Sequence, residues 1–190
     1  MPYVSQASTN TLNQGIFVLA VILVAWWAVG GITNRRRANR IIAAMRPLIR
    51  GTGQVARIRW HGPSAFHIEV SETRGGIRAL AILVLLTARE SPFTWAWALW
   101  RHYRDLLVLE ADFTRTPSRT RTVTVGESGR DLPPGWSLRL QPKHPHLHLT
   151  APLPAAPDAV LREAFRLLGE YAAAIANRSD PSQADPAPKA

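Results

Sequence analysis

The chain has 190 residues, 46% of them hydrophobic, no cysteine, and a formal net charge of +10 carried almost wholly by arginine, since Lys143 and Lys189 are the only lysines. Without cysteine there can be no disulfide, thiolate metal site or cysteine nucleophile. The length leaves material for one modest domain once an anchor and a polar tail are set aside.

Met1 to Gln14 is a polar stub rich in Ser, Thr, Asn and Gln, too short to fold. Gly15 to Thr33 (GIFVLAVILVAWWAVGGIT) then runs without a charge, and the first formal charge in the chain is Arg35. At ~1.5 Å per residue this stretch makes roughly 28 Å of helix, close to the thickness of a bilayer core. Trp26 and Trp27 lie toward its far end, where their rings reach the headgroup layer. Arg35, Arg36, Arg37 and Arg40 follow directly. By the positive-inside rule the uncharged N-terminus lies outside and everything after Thr33 is cytoplasmic, in a single-pass membrane protein. A cleaved signal peptide would place its positive charge before the apolar run and end on a small-x-small site. This chain does neither. The anchor is therefore marked by Gly15, Trp26, Trp27 and Thr33, and its flank by the four arginines.

In Asn34 to Arg50, Ala38, Ile41, Ile42, Met45, Leu48 and Ile49 fall on one helical face. This is a basic amphipathic juxtamembrane helix that Pro47 should bend or end. A cytoplasmic domain over residues 54–177 comes next. Gln54 to Trp60 and Ala65 to Ser71 read as a hairpin, and Ala79 to Leu86 (ALAILVLL), apolar on both sides, as a central strand covered on both faces. Ser91-Pro92 is a helix start, Ser capping and Pro in the first turn, for a helix to about Arg104. Leu107 to Phe113, Arg121 to Val125, Trp136 to Leu140 and His146 to Thr150 are strands, and Asp158 to Asn177 an amphipathic helix. Residues 178–190 have nothing to bury and read as a disordered tail. The fold class is α+β, with one transmembrane helix, a largely antiparallel sheet and two or three further helices.

Three groups of side chains are candidates for chemistry or binding. His144, His146 and His148 alternate along one strand face, but such neighbours stand ~7 Å apart, wide for one ion's sphere. The expectation is accordingly no metal and no cofactor. Glu110 and Asp112 share a strand face without a nucleophile elbow, P-loop or dinucleotide fingerprint beside them, so no catalytic residue and no small-molecule substrate are assigned and the chain reads as a non-enzyme. Phe93, Trp95, Trp97 and Trp100 crowd a short helix that must be buried on both sides or expose a large apolar patch. Exposed, they make a surface for a hydrophobic partner, and a membrane protein fits best. The arginines could instead contact anionic lipid or an RNA such as the ribosome's, and a membrane-tethered hydrolase is the remaining alternative.

The layout carries a resemblance. An N-out span, the basic NRRRANR segment, the passage ALAILVLLTARESPFTWAWALW, the strand RDLLVLEADF and the closing HLHLTAPLPAAPDAVLREAFRLLGEYAAAIANR come in an order that resembles the calumin family, the coiled-coil-domain proteins of the endoplasmic reticulum PAT complex. The likeness runs from Leu12 to Asn177. It implies an accessory role in the insertion of multipass membrane proteins. The chain lacks that family's acidic leader and its Lys-rich coiled coil, and with the latter its means of reaching the ribosome. No residue role is carried across.

Overall fold

A computed structural model describes residues 4–117, 121–123 and 132–177. Helix α1 spans Val4–Thr52 without a break and is long and apolar enough to cross a membrane. The expected polar stub is helical from Val4, and the expected anchor and juxtamembrane helix are one element. Pro47 lies inside it and does not end it. Proline removes the hydrogen bond to the carbonyl four residues back, here that of Ala43. Both residues lie on the exposed side of α1, so water can take the freed carbonyl.

Seven strands form one antiparallel sheet: β1 Gln54–Trp60, β2 Ala65–Ser71, β3 Ile77–Leu85, β4 Asp105–Phe113, β5 Arg121–Val123, β6 Ser137–Leu140 and β7 Leu147–Leu153, in the order β1-β2-β3-β4-β7-β6-β5. Helix α2, Pro92–Trp100, joins β3 to β4 at the end of the sheet, and α3, Asp158–Asn177, follows β7. The last two residues of the expected Arg121–Val125 strand and the expected disordered tail lie outside the described residues.

The core is a single layer between one sheet face and two helices. Phe66, Ile68, Ile82, Leu107, Leu109, Phe113, Leu138, Leu147 and Leu149 point into it from the strands. Leu161, Ala164, Leu167, Leu168 and Ala172 meet them from α3, as their helical spacing predicts. Ala38, Ile41, Ile42, Met45 and Ile49 complete it from α1. The four large members of that last set are worth on the order of 6–12 kcal/mol of burial, so the second half of α1 belongs to the domain and is more than a stop-transfer flank.

The other sheet face is open among the described residues. β3 alternates between buried and accessible positions, which corrects the expectation that it is covered on both sides. Leu83 stands opposite Val108, and Leu85 opposite Leu106, on that open face. Farther from α2 the face turns polar, with Glu69, Glu110 and His148 in neighbouring strands.

Candidate interaction surface beside the long helix

Helix α2 starts as its sequence says. Ser91 is its N-cap, its hydroxyl accepting from the Thr94 amide, and Pro92 fills the first turn. It ends four residues earlier than expected. The Tyr103 amide donates to the Ala98 carbonyl and the His102 amide to that of Leu99, while His102 adopts a positive φ of 55°. That is a Schellman motif with histidine in the position usually given to glycine.

The aromatic residues of α2 are displayed. Phe93 is 79% exposed, Trp97 52% and Trp100 67%. Trp97 and Trp100 meet edge to face at 5.0 Å, and the Arg101 guanidinium lies over both rings. Trp95 does something different. It is half-buried and packs on Trp26 of α1 at 5.5 Å between ring centroids. So of the four expected surface residues, three form the surface and Trp95 mounts it.

That mount is tight. The Trp26 indole N–H donates to the Arg89 carbonyl at 3.1 Å. A Cβ on Gly30 would stand 2.3 Å from the same carbonyl oxygen, so only glycine lets the β3–α2 segment lie against α1 here. Beside it sits a polar junction. Asn34, fully buried, donates to the Thr87 carbonyl at 3.1 Å and to Glu90 Oε2 at 3.1 Å, and accepts from Arg89 Nη1 at 3.2 Å. Ser64 donates to the other oxygen of Glu90. Arg37 pairs with buried Asp105 and donates to the Pro154 carbonyl at 3.0 Å. Asp105 also accepts from the Thr87 amide at 2.7 Å and hydroxyl at 2.9 Å. Each polar group here has a partner, as a buried junction requires.

The expected anchor residues Gly15, Trp26, Trp27 and Thr33 all lie in α1. Its flank divides in use. Arg37 is turned inward to Asp105; Arg35, Arg36 and Arg40 are exposed, Arg35 with its guanidinium over the Trp60 ring at 4.0 Å. Asn34, Glu90 and Asp105 were not singled out from the sequence. The one available signal was Asn34 itself, a polar residue in register with the apolar face of Ala38, Ile41 and Met45.

The histidines are not in the expected row. β7 begins at Leu147; His148 lies on the open face, 3.7 Å from Glu110, and His146 is buried and stacked on Phe113. His144, exposed, binds Asp112 Oδ1 through Nδ1 at 2.8 Å, and the His146 amide donates to the same oxygen at 3.2 Å. Asp112, His144 and His146 thus bring potential ligand atoms within 4.8 Å of one another. But the Phe113 amide donates to His146 Nδ1 at 2.9 Å, which uses that lone pair and leaves the ring proton on Nε2. The group is a clamp between the end of β4 and the turn before β7. Burial, chiefly, holds the His146 imidazole below its ordinary pKa. Burial acts to raise the Asp112 carboxyl, but the hydrogen bonds from His144 and the His146 amide outweigh it and the pKa is lowered.

No protein-family model matches the chain, and no curated protein matches it by sequence.

Proposed function

We propose that the chain is a single-pass membrane protein, N-terminus outside, that presents α2 at the cytoplasmic boundary of the bilayer as a docking helix for a partner membrane protein, in an accessory role during insertion or assembly. The observation that carries this reading is the exposure of Phe93, Trp97 and Trp100 on a helix tied by Trp95 to Trp26. Water would not tolerate so apolar a patch on an isolated domain. A bilayer edge does. Trp26 precedes Arg35 by nine helical residues, ~13 Å of rise, which sets Trp95 below the arginine belt and near the start of the hydrocarbon. The resemblance to the calumin family points the same way. The polyanion alternative is weaker, because two of the four flank arginines, Arg35 and Arg37, are engaged within the fold.

The test is photocrosslinking in intact membranes from a benzophenone amino acid at Trp97, with a second probe at Arg57 in β1 for comparison. Adducts to a membrane protein from position 97 alone are expected. In a chain carrying Trp97→Ser and Trp100→Ser, capture through a probe at Phe93 should vanish while the unfolding midpoint stays put. Adducts to lipid only, or equal protein adducts from both probe positions, would overturn the reading. So would digestion of the residue 54–177 domain by protease applied to intact cells.

A further inference from the structure

Where α2 folds back on α1, the two leave between them a groove of about 470 Å³, lined by Ala25, Trp26, Val29 and Thr33 on one side and by Trp95 and Arg89 on the other. Its polar side chains from α1 are spent. The Thr33 hydroxyl donates to the Val29 carbonyl at 2.8 Å, and the Trp26 indole donates to Arg89. What remains to line the groove along α1 is hydrocarbon, which calls for an apolar occupant. A membrane-spanning helix ~10 Å across and ~30 Å long displaces roughly 2000 Å³, several times this space. A single extended hydrocarbon chain is the better match.

The groove's helix face does not end at the last apolar residue. Ile22, Ala25, Val29, Thr33, Arg36 and Arg40 recur at intervals of three and four and form one stripe along α1. Arg36 and Arg40 are exposed, and among the described residues neither has an acidic partner. Arg89, at the groove wall, keeps N–H donors beyond those given to Asn34 and Asp105. A hydrocarbon slot thus leads, one helical turn on, into guanidinium charge. That is the layout of an amphiphile with an anionic head.

We propose that this groove binds an anionic phospholipid, one acyl chain lying against Ala25, Val29 and Trp95 and the phosphate held by Arg36 and Arg40. The proposal goes beyond the docking role and rests, with it, on α1 crossing the membrane. Lipid would then be a resident part of the surface on which α2 stands, its charge-bearing end beside the polar junction.

The experiment is native mass spectrometry of the full chain released from vesicles of equal phosphatidylglycerol and phosphatidylcholine. The wild-type chain should retain phosphatidylglycerol in preference. Each of Arg36→Gln and Arg40→Gln should reduce that preference by about fivefold, the effect of one arginine near a charged lipid surface. Ala25→Phe, at an exposed position, should fill the slot and release both lipids, and Val29→Phe should do the same. Equal retention of the two lipids by the wild-type chain would overturn the charge assignment. Unchanged retention in both Phe variants would overturn the groove assignment, including the case where they abolish protein crosslinks from position 97 and so mark a partner side chain as the occupant. Position-97 crosslinks to a membrane protein from a wild-type chain that retains the two lipids equally would mean that this proposal fails while the docking reading stands.

Discussion

Replacing Asp105 with alanine should cost more than any other single change at the junction of α1 and the sheet. The carboxylate is 4% exposed and accepts from the Thr87 amide and hydroxyl as well as from Arg37, which is itself largely covered. Alanine leaves a guanidinium and a backbone amide facing a low-polarity space. Removing one partner of a buried pair costs about 3–5 kcal/mol, and Arg37's remaining bonds to the Leu153 and Pro154 carbonyls place this case near the lower end. For a chain of this size, about 3 kcal/mol lowers the unfolding midpoint by roughly 6–12 °C. Circular dichroism of the full chain in mild detergent, heated or titrated with urea, reads that shift. The matched double change, Arg37→Met with Asp105→Leu, should recover the part of the loss that comes from the uncompensated guanidinium, while the Thr87 amide and hydroxyl stay without their acceptor. A loss below about 1 kcal/mol for Asp105→Ala, or no recovery in the double variant, would refute the claim that this pair fastens α1 to the sheet.

Gly30 and Gly31 offer a matched comparison. Gly30→Ala places a methyl 2.3 Å from the Arg89 carbonyl oxygen and should dislodge α2, read as faster proteolysis between Ser91 and Arg104; Gly31→Ala has nothing within 4 Å, should leave cleavage unchanged, and should gain about 1 kcal/mol of helix propensity. Acid should weaken the domain in two stages. His146 has a lowered pKa in the fold, so below the ordinary 6.5 the unfolded chain takes up the proton first and stability falls as pH drops; Asp112, also lowered, adds a second loss below its ordinary 3.8. Urea midpoints measured from pH 8 to pH 3 should show both, and His146→Phe should remove the first; a midpoint flat from pH 7 to pH 5 would contradict the placement of His146.

The strands and α3 were legible because their apolar residues repeat at two and at three-to-four, and a repeat of that kind records which face is buried. The hairpin Gln54–Trp60 with Ala65–Ser71 and the helix Asp158–Asn177 lie where their periodicity puts them. The unbroken apolar run of β3 carried no such record. An all-apolar strand fits two covered faces, but here one face is open and its leucines face outward. Nor could the sequence separate a buried α2 from a displayed one, since an all-apolar helix has no polar side to mark solvent. The fastening residues were hidden by distance: Arg37 meets Asp105 across 68 residues, and no local pattern pairs them. The sequence places Arg37 among the basic residues after the apolar run but carries no sign of its pairing with Asp105.

The continuity of α1 sets where α2 stands relative to the apolar segment. Had the helix ended at Arg35 and a linker followed, the domain could swivel relative to the apolar segment and α2 would have no fixed place beside it. Instead one hydrogen-bonded ladder runs from the apolar segment into the core, where Ile41, Met45 and Ile49 are fixed under the sheet. Position along α1 then becomes a matter of residue counting at ~1.5 Å each. Trp26 holds Trp95, Gly30 admits Arg89, and Asn34 and Arg37 close the junction, at successive turns of the same helix. The aromatic face of α2 is therefore fixed relative to the apolar segment of α1. In the proposed docking role, a surface built that way would recognise its partner by its position along α1 as much as by what it displays.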